Sequence, residues 1–524
     1  MAKFKVRFLP SGVRADVDAG TLISDAAKAA GVPIKLPCNG NGRCGRCNVI
    51  ISRPAVPGQC NLTRVLACQT KIDGDADISI TADDGKIIAS NDHRKIKIDD
   101  ISPVVASPKN NYGLAVDIGT TTIAVSLLDM NNGLELYAAA GYNTQGMRGD
   151  DVLSRIEYAA DGGTGELREL VVGAINDLVG SYVGDGFRTD DIGAAYISGN
   201  TTMIHLFLGI DPSPIRLPPY QPVLKEAEIT GKESRLNISK KAKVICMPSP
   251  AAYVGGDVIS DIISSGMDKD DELAIMIDVG TNGEVALGNR DVMLVCSSSA
   301  GPAFEGGKMT SGMMARPGAI DSFRIDDDGN FIFTVIAGSE PKGICGSGLI
   351  DVAAQLFLKG MIDKKGKFTK KVRTMTVGGK KLLTITKDVF ISEDDIREII
   401  LTKAAIYSAS ASLIRGLGVS MDDISKIYIA GGFGNFINTE SAVAIGMLPD
   451  VPRERFVYLG NASLAGAKHA LLSSSARKRI KEVFGRTTYV DLSSDPAFSD
   501  EYMSALFIPH TDASRFPTYA KRSP

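Results

Sequence analysis

Leu114-Ala-Val-Asp-Ile-Gly-Thr-Thr-Thr122 and Ile275-Met-Ile-Asp-Val-Gly-Thr-Asn-Gly283 are two copies of one device. Each is a short apolar strand that ends on an aspartate and runs through a Gly-Thr turn into a second apolar strand, Ile123–Leu128 in one case and Glu284–Leu287 in the other. Gly119 and Gly280 keep side chains out of the turn, so backbone N–H groups can approach phosphate oxygens. Thr120, Thr121, Thr122 and Thr281 bring hydroxyls, and Asn282 and Gly283 complete the second turn. Asp117 and Asp278, acceptors only when ionised, suit a hydrated Mg2+ that bridges phosphates. One such turn is a weak signal because Asp-Gly turns are common. Two of them predict similar half-domains facing each other across a nucleotide, since their separation far exceeds the ~20–50-residue period of a solenoid.

Working outward, strands alternate with helical patterns from residue 112 onward, which predicts α/β layers. Lys426-Ile-Tyr-Ile-Ala-Gly431-Gly432-Phe433-Gly434-Asn435 reads as a buried strand ending in glycines, against whose backbone adenine and ribose can lie. Gly460-Asn-Ala-Ser-Leu-Ala-Gly466-Ala467 is a strand-to-helix junction and a packing hinge. Asn200, Thr201 and Thr202 follow Gly199; they either line the cleft or only cap a helix. Asp257, after Gly255-Gly256, is a candidate catalytic base or a helix cap. Glu284 orients the attacking water, sits in the magnesium shell or lies at the surface. Lys403 on a long helix reaches the nucleotide or faces water. No Walker A sequence is present: Gly306-Gly307-Lys308 lacks the earlier glycine at its required offset.

The N-terminal region has another composition. Five of eight cysteines (Cys38, Cys44, Cys47, Cys60, Cys68) fall in the first 68 residues. In a reducing compartment such crowding holds metal rather than disulfides. Alternation at Phe4, Val6 and Phe8, a second strand at Val13–Val17, a helix from Thr21 to Gly31 and a last strand at Ala76–Ile80 give the order of a β-grasp module. Cys38-x5-Cys44-x2-Cys47 with glycines at 40, 42 and 45 predicts a 2Fe-2S cluster, with structural zinc as the alternative. The fourth ligand is Cys68 or Cys60, and Cys68 fits a late-returning segment better. Gly40-Asn-Gly42-Arg-Cys-Gly45 matches a dinucleotide fingerprint in letters only, because it joins no strand to a helix. The expected division is residues 1–90 for the cluster module, a linker at 91–111, and lobes at 112–270 and 271–524. The net charge of −3 gives no basic footprint for nucleic acid. No apolar run is long enough for a membrane span, and the N-terminus carries no signal-peptide pattern, so a cytoplasmic protein is expected.

The paired turns with Ala430-Gly-Gly-Phe-Gly434 resemble the actin, hexokinase and heat-shock-chaperone superfamily, in which ATP lies between two related lobes. With the cysteine cluster, and with Gly199-Asn-Thr-Thr-Met-Ile-His-Leu206, Tyr253-Val-Gly-Gly-Asp257, Gly301-Pro-Ala-Phe-Glu-Gly306, Gly343-Ile-Cys-Gly-Ser-Gly348 and Tyr502-Met-Ser-Ala-Leu-Phe-Ile-Pro-His510, the chain resembles the reductive activators of corrinoid-dependent methyltransferases. The resemblance implies a multi-domain α/β protein, a β-grasp ferredoxin joined to an actin-like ATPase. Its cofactors would be a 2Fe-2S cluster, ATP and Mg2+, and it would return an electron to Co(II) of a partner corrinoid protein. It further implies a methyltransferase or O-demethylase corrinoid protein as partner, an external low-potential electron donor and a homodimer. A middle domain of longer members is expected to be missing. The rival reading is a redox sensor or chaperone whose cluster state regulates the ATPase. A radical-dehydratase activator is disfavoured by the ferredoxin module, and a fused sugar kinase by the lack of a carbohydrate-binding signature.

Overall fold

The computed structural model describes residues 3–9, 12–32, 34, 47–56, 59–80, 88–90, 94–98, 100–105, 111–182, 186–280, 282–299, 301, 303–304, 309–431 and 437–520. Near the N-terminus, β1 (Lys3–Leu9), β2 (Arg14–Asp18), β3 (Asn48–Val56), β4 (Gln59–Leu66) and β5 (Ala76–Ile80) form one sheet in the order β2-β1-β5-β3-β4. The alternation of Phe4, Val6 and Phe8 sends Val6 and Phe8 inward against Ile23, Ala26 and Ala27 of the helix Ile23–Ala29. This helix on a sheet with β1 and β5 parallel is the β-grasp arrangement expected from the element order.

β6 (Ile88–Ser90) and β7 (Arg94–Lys95) both pair with β10 (Leu134–Tyr142) of the body. Beyond them, the Ser102 and Val104 amides donate to Leu472 and Leu471 carbonyls at 2.8 and 3.0 Å. Ile96, Ile98, Val104 and Val105 pack on the body core. The described part of the stretch read as a linker is therefore strapped to the body.

The body contains two sheets built alike. In the first, β8 (Tyr112–Ile118), β9 (Thr122–Asp129) and β10 form an antiparallel meander; β11 (Ile192–Gly199) and then β13 (Lys243–Cys246) extend it in parallel beside β8, and β12 (Ala227–Thr230) closes that edge. In the second, β14 (Ala274–Val279), β15 (Gly283–Gly288) and β16 (Met293–Ser298) repeat the meander. Two short three-stranded sheets intervene: β17 (Ala319–Ile325), β18 (Phe331–Val335) and β19 (Gly343–Ile344), then β20 (Met375–Val377), β21 (Lys380–Thr384) and β22 (Phe390–Ser392). The parallel extension then resumes with β23 (Lys426–Ala430) and β24 (Phe456–Gly460), and β25 (Thr487–Tyr489) joins at β16. The sequence echo at Asp117 and Asp278 is thus a structural duplication of a five-strand unit.

Each sheet is covered by helices, which is why its central strands are almost continuously apolar rather than alternating. β11 is buried along its whole length. Burying one such Ile or Leu side chain stabilises by about 1.5–3 kcal/mol. A third core lies between the sheets, where helices Gly256–Ser265, Ala462–Leu472 and Ser474–Arg486 meet side chains from both, such as Ala115, Tyr196, Met276 and Val295. A Cβ on Gly466 would collide with the backbone of Ser260, so these two helices cross backbone to backbone. Among the described residues, no helix is long and apolar enough to cross a membrane.

Candidate functional site

The two Asp-x-Gly-Thr turns lie at corresponding ends of the two sheets. In the first, the Gly119 amide donates to the Thr122 carbonyl at 3.0 Å, and a Cβ on Gly119 would come within 2.6 Å of that same oxygen. The turn is braced from beneath. Asn143, fully buried, donates from Nδ2 to the Gly119 carbonyl at 2.8 Å. Its own amide reaches the Thr121 carbonyl at 2.8 Å. Arg155, also buried, donates to the carbonyls of Thr120 and Gly149 at 2.5 and 2.9 Å. Neither Asn143 nor Arg155 was among the expected site residues. The only sequence trace of Arg155 is its place on an otherwise ordinary amphipathic helix, Val152–Tyr158.

Asn200 uses both ends of its side-chain amide. Its Oδ1 accepts from the Met203 amide at 2.9 Å, capping the helix Thr201–Leu208, while its Nδ2 donates to Thr120 Oγ1 at 3.2 Å. Thr201 turns the other way and donates from Oγ1 to the Ala251 carbonyl at 2.7 Å. That bond ties it to the approach of Gly255, where a Cβ would collide with Asn200. Thr122 opens β9 and is exposed.

Asp117 at the end of β8 is held from across the cleft. Asn461 Nδ2 donates to its Oδ2 at 2.9 Å and Ser463 Oγ to its Oδ1 at 2.8 Å. Ser463, Ser198 and Ser260 continue as a chain of hydroxyls at 2.9 and 2.8 Å. Burial raises the Asp117 carboxyl from its ordinary range, and these two donors act against that rise.

The second turn has different company. The Gly280 amide donates to the Asn282 carbonyl at 3.1 Å, and Ser298 Oγ donates to the Gly283 carbonyl at 3.1 Å. Asp278 stands directly opposite Glu284 in the β14–β15 ladder and beside Ala430 of β23. Asp257 and Asp261 come from the helix Gly256–Ser265, one turn apart and therefore on one face. Asp257 sits inside the first turn rather than at the cap, with its Oδ1 accepting from the Val258 amide at 2.9 Å. Burial, and then the charge of Asp278, push Asp257 up to about 7. Burial also lifts Glu284 and Asp261 well above the carboxylate range, with Asp257 and Asp278 adding to it. The charges acting most strongly on these three groups are all carboxylates.

Gly431 follows β23 with φ +106°, and a Cβ there would lie 2.5 Å from the Val279 carbonyl and 2.8 Å from Asp278 Oδ1. The glycine lets the end of β23 approach the second turn closely. Thr281, Gly432, Phe433 and Gly434 lie outside the described residues. Lys403 belongs elsewhere: fully buried, it donates from Nζ to the Phe507 and Pro509 carbonyls, both at 2.7 Å, and so fastens the C-terminal segment instead of reaching the nucleotide or facing water. Cys345 is a small buried residue at the start of the helix Gly346–Leu358.

In the N-terminal module, Cys47 and Cys68 are both buried, with sulfurs 3.2 Å apart. Gln69 Nε2 approaches the Cys68 sulfur at 3.7 Å, a donor of the kind that tunes cluster potential. Cys38 and Cys44 lie outside the described residues. Cys60 pairs with Pro54 toward the far end of the β3–β4 hairpin, whereas Cys47 adjoins the Asn48–Leu66 end. At about 3.3 Å per residue, the two lie roughly 20 Å apart along the strand. Paired thiols and an adjacent amide donor suit a cluster, and carboxylates around glycine turns suit a magnesium nucleotide.

Comparison with known proteins gives three family matches. "2Fe-2S iron-sulfur cluster binding domain" covers residues 6–73, "RACo middle region" covers 112–270, and "C-terminal domain of RACo the ASKHA domain" covers 272–520. The middle region expected to be missing is thus matched by the segment read as the first lobe. The chain is 33% identical to the solved structure of a reductive activator for corrinoid,iron-sulfur protein, with a TM-score of 0.74 over 98% of this chain and 100% of that one. It is 29% identical to the corrinoid activation enzyme RamQ of Eubacterium limosum, covering 93% of this chain and 96% of the relative. It is 25% identical to the [Co(II) methylated amine-specific corrinoid protein] reductase of Methanosarcina barkeri, covering 75% and 76%.

Proposed function

Since the chain belongs to the family of reductive activators of corrinoid proteins, we propose that its two acid-rich glycine turns form the ATP switch by which it restores oxidised corrinoid partners. The protein is an ATP-using iron–sulfur reductive activator that passes an electron to Co(II) of a corrinoid protein. The 2Fe-2S cluster supplies that single electron when bound. The observation that carries the reading is a module with two facing buried cysteine sulfurs joined to a duplicated lobe pair with Asp117 and Asp278 at its cleft.

The coupling has a physical reason. Each ~59 mV of unfavourable potential costs about 1.4 kcal/mol for one electron, so a gap of a few hundred millivolts needs an added source of free energy. Nucleotide can provide it only by changing how the two lobes sit and thus how the protein grips its partner.

In this reading Cys38, Cys44, Cys47 and Cys68 hold the cluster. The place of Cys60 at the far end of the hairpin speaks for Cys68 as the fourth ligand. Asp117 and Asp278 hold the hydrated Mg2+. Gly119, Thr120, Thr121, Thr122, Gly280, Thr281, Asn282 and Gly283 wrap the phosphates. Asn200 and Thr201 line the cleft, Asn200 toward the first turn and Thr201 toward the Gly255 approach, and Gly431, Gly432, Phe433 and Gly434 carry the nucleoside. Glu284 and Asp257 compete for the role of base toward the attacking water, and the raised position of Asp257 near neutrality favours it. The division is read as residues 1–90, 91–111, 112–270 and 271–524, with β6 at the end of the first segment and β7 and Ser102–Val104 of the connector held against the body. The partner is the corrinoid protein of a methyltransferase or O-demethylase system, the electron comes from an external low-potential donor, the assembly is a homodimer and the setting is the cytoplasm.

The test is to mix anaerobically reduced protein with corrinoid proteins poised as Co(II), with and without Mg-ATP. Loss of the Co(II) EPR signal only with Mg-ATP supports the proposal. A persistent signal with every partner, together with an ATPase that responds to cluster oxidation state, replaces it with the sensor reading.

A further inference from the structure

Every carbonyl of the first Asp-x-Gly-Thr turn from Gly119 to Thr122 is held. Asn143 Nδ2 donates to the Gly119 carbonyl at 2.8 Å, Arg155 Nη2 to the Thr120 carbonyl at 2.5 Å, and the Asn143 amide to the Thr121 carbonyl at 2.8 Å. The Thr122 carbonyl accepts from Gly119 within the turn. A trans peptide unit is planar, so its N–H points opposite to its C=O. With the Gly119 and Thr120 carbonyls fixed toward Asn143 and Arg155, the Thr120 and Thr121 amides are turned the other way. Asn143 and Arg155 are fully buried, so that direction leads out to the side where Gly119, Thr121 and Thr122 keep exposed surface.

Arg155 suits this task by shape. Its planar fork also donates from Nε to the Gly149 carbonyl at 2.9 Å and from Nη1 to Gln145 Oε1 at 3.2 Å. One side chain thus spans the turn and the Gln145–Gly149 loop, which a lone ammonium could not do. The loop itself is pinned. Asn143 Oδ1 accepts from the Gln145 amide at 3.1 Å, and Gln145 Nε2 donates to the Leu167 carbonyl at 2.9 Å. A Cβ on Gly149 would lie 2.9 Å from the Arg155 amide, so the loop passes close against the start of that helix turn.

We infer that Arg155, with Asn143, is a positioning residue for the nucleotide: it fixes the direction of the Thr120 and Thr121 amides so that they donate to a polyphosphate, without itself touching the ligand. This rests on the nucleotide reading of the cleft and deepens it, because the brace then sets the preference for a polyphosphate over a single phosphate.

The test titrates ATP, with Mg2+, and AMP into the oxidised full-length protein by calorimetry. Wild type binds ATP more tightly than AMP. Arg155→Lys keeps the charge but loses the fork; it weakens ATP about 10-fold, the equivalent of one hydrogen bond, and changes AMP by less than about twofold. Asn143→Ala is the second variant and shows the same pattern, with melting curves and the cluster spectrum reporting that each protein is folded. Full ATP affinity in both variants, or equal losses of ATP and AMP, overturns the inference and leaves the pair as a purely structural brace. The two levels separate cleanly: if wild type binds no ATP, the nucleotide reading falls as well, and if wild type binds ATP while the variants miss the pattern, only the positioning role falls.

Discussion

The two Asp-x-Gly-Thr turns share a sequence and differ in what surrounds them. Asp117 faces Ala124 across its hairpin and is clamped by Asn461 and Ser463, two donors delivered by the helix start after β24. Asp278 faces Glu284 and shares its space with Asp257 and Asp261. The register explains part of this. In the first hairpin Ile118 pairs with Ile123, and in the second Val279 pairs with Gly283, so the second turn is shorter by one residue. The first turn is thus a latch that ties one lobe to the interlobe helices, and the second is a charge trap, relieved by protonation or by a cation. Duplication gave the protein two similar turns, and divergence of their neighbours gave it one fixed and one responsive side.

The comparison can be broken by substitution. Asp278→Asn has the largest expected effect, a loss of ATP hydrolysis of roughly 100-fold or more in a steady-state assay, with the protein still folded. Gly431→Ala comes next: at φ +106° with its Cβ against Val279 and Asp278, it is expected to weaken ATP about tenfold in a binding titration and to destabilise by about 1–3 kcal/mol in thermal melts. Asp117→Asn is expected to reduce hydrolysis less than Asp278→Asn. Its clearer signature is a lower melting temperature from the lost charge-assisted bonds to Asn461 and Ser463, about 1.5–3 kcal/mol. Ser463→Ala is the mildest for hydrolysis, with the loss of its bonds to Asp117 and Ser198 costing about 1–3 kcal/mol of stability. Equal losses of hydrolysis in the two aspartate variants, with equal melting temperatures, would remove the distinction between latch and trap.

Much of this was legible in the sequence. The repeated Asp-x-Gly-Thr segments located both sheets and both turns because apolar strands and glycine turns are local signals. The β-grasp order was readable for the same reason. Three features were not. Arg155 and Asn143 brace the first turn through backbone carbonyls, and a residue that recognises backbone leaves no side-chain motif. Asp261 reads as an ordinary helix residue until the fold places it under Asp278, although its spacing from Asp257 was visible. The anchoring of residues 94–105 was hidden because the charged and Pro/Asn-rich composition resembles a free linker, while four of its apolar residues, Ile96, Ile98, Val104 and Val105, pack on a core to which the much later helices Ala462–Leu472 and Ser474–Arg486 contribute. Lys403 shows the reverse error: a lysine on a helix suggested nucleotide or solvent, and the fold uses it to hold two carbonyls of the C-terminal segment.

The most direct test of the account is the Co(II) EPR signal of a corrinoid partner mixed with reduced protein and Mg-ATP, comparing wild type with a variant in which Asp117 and Asp278 are both changed to Asn. The account predicts that the signal is lost with wild type and persists with the double variant, whose cluster spectrum is unchanged. Equal loss of the signal in both would show that electron delivery does not depend on the nucleotide cleft and would contradict it.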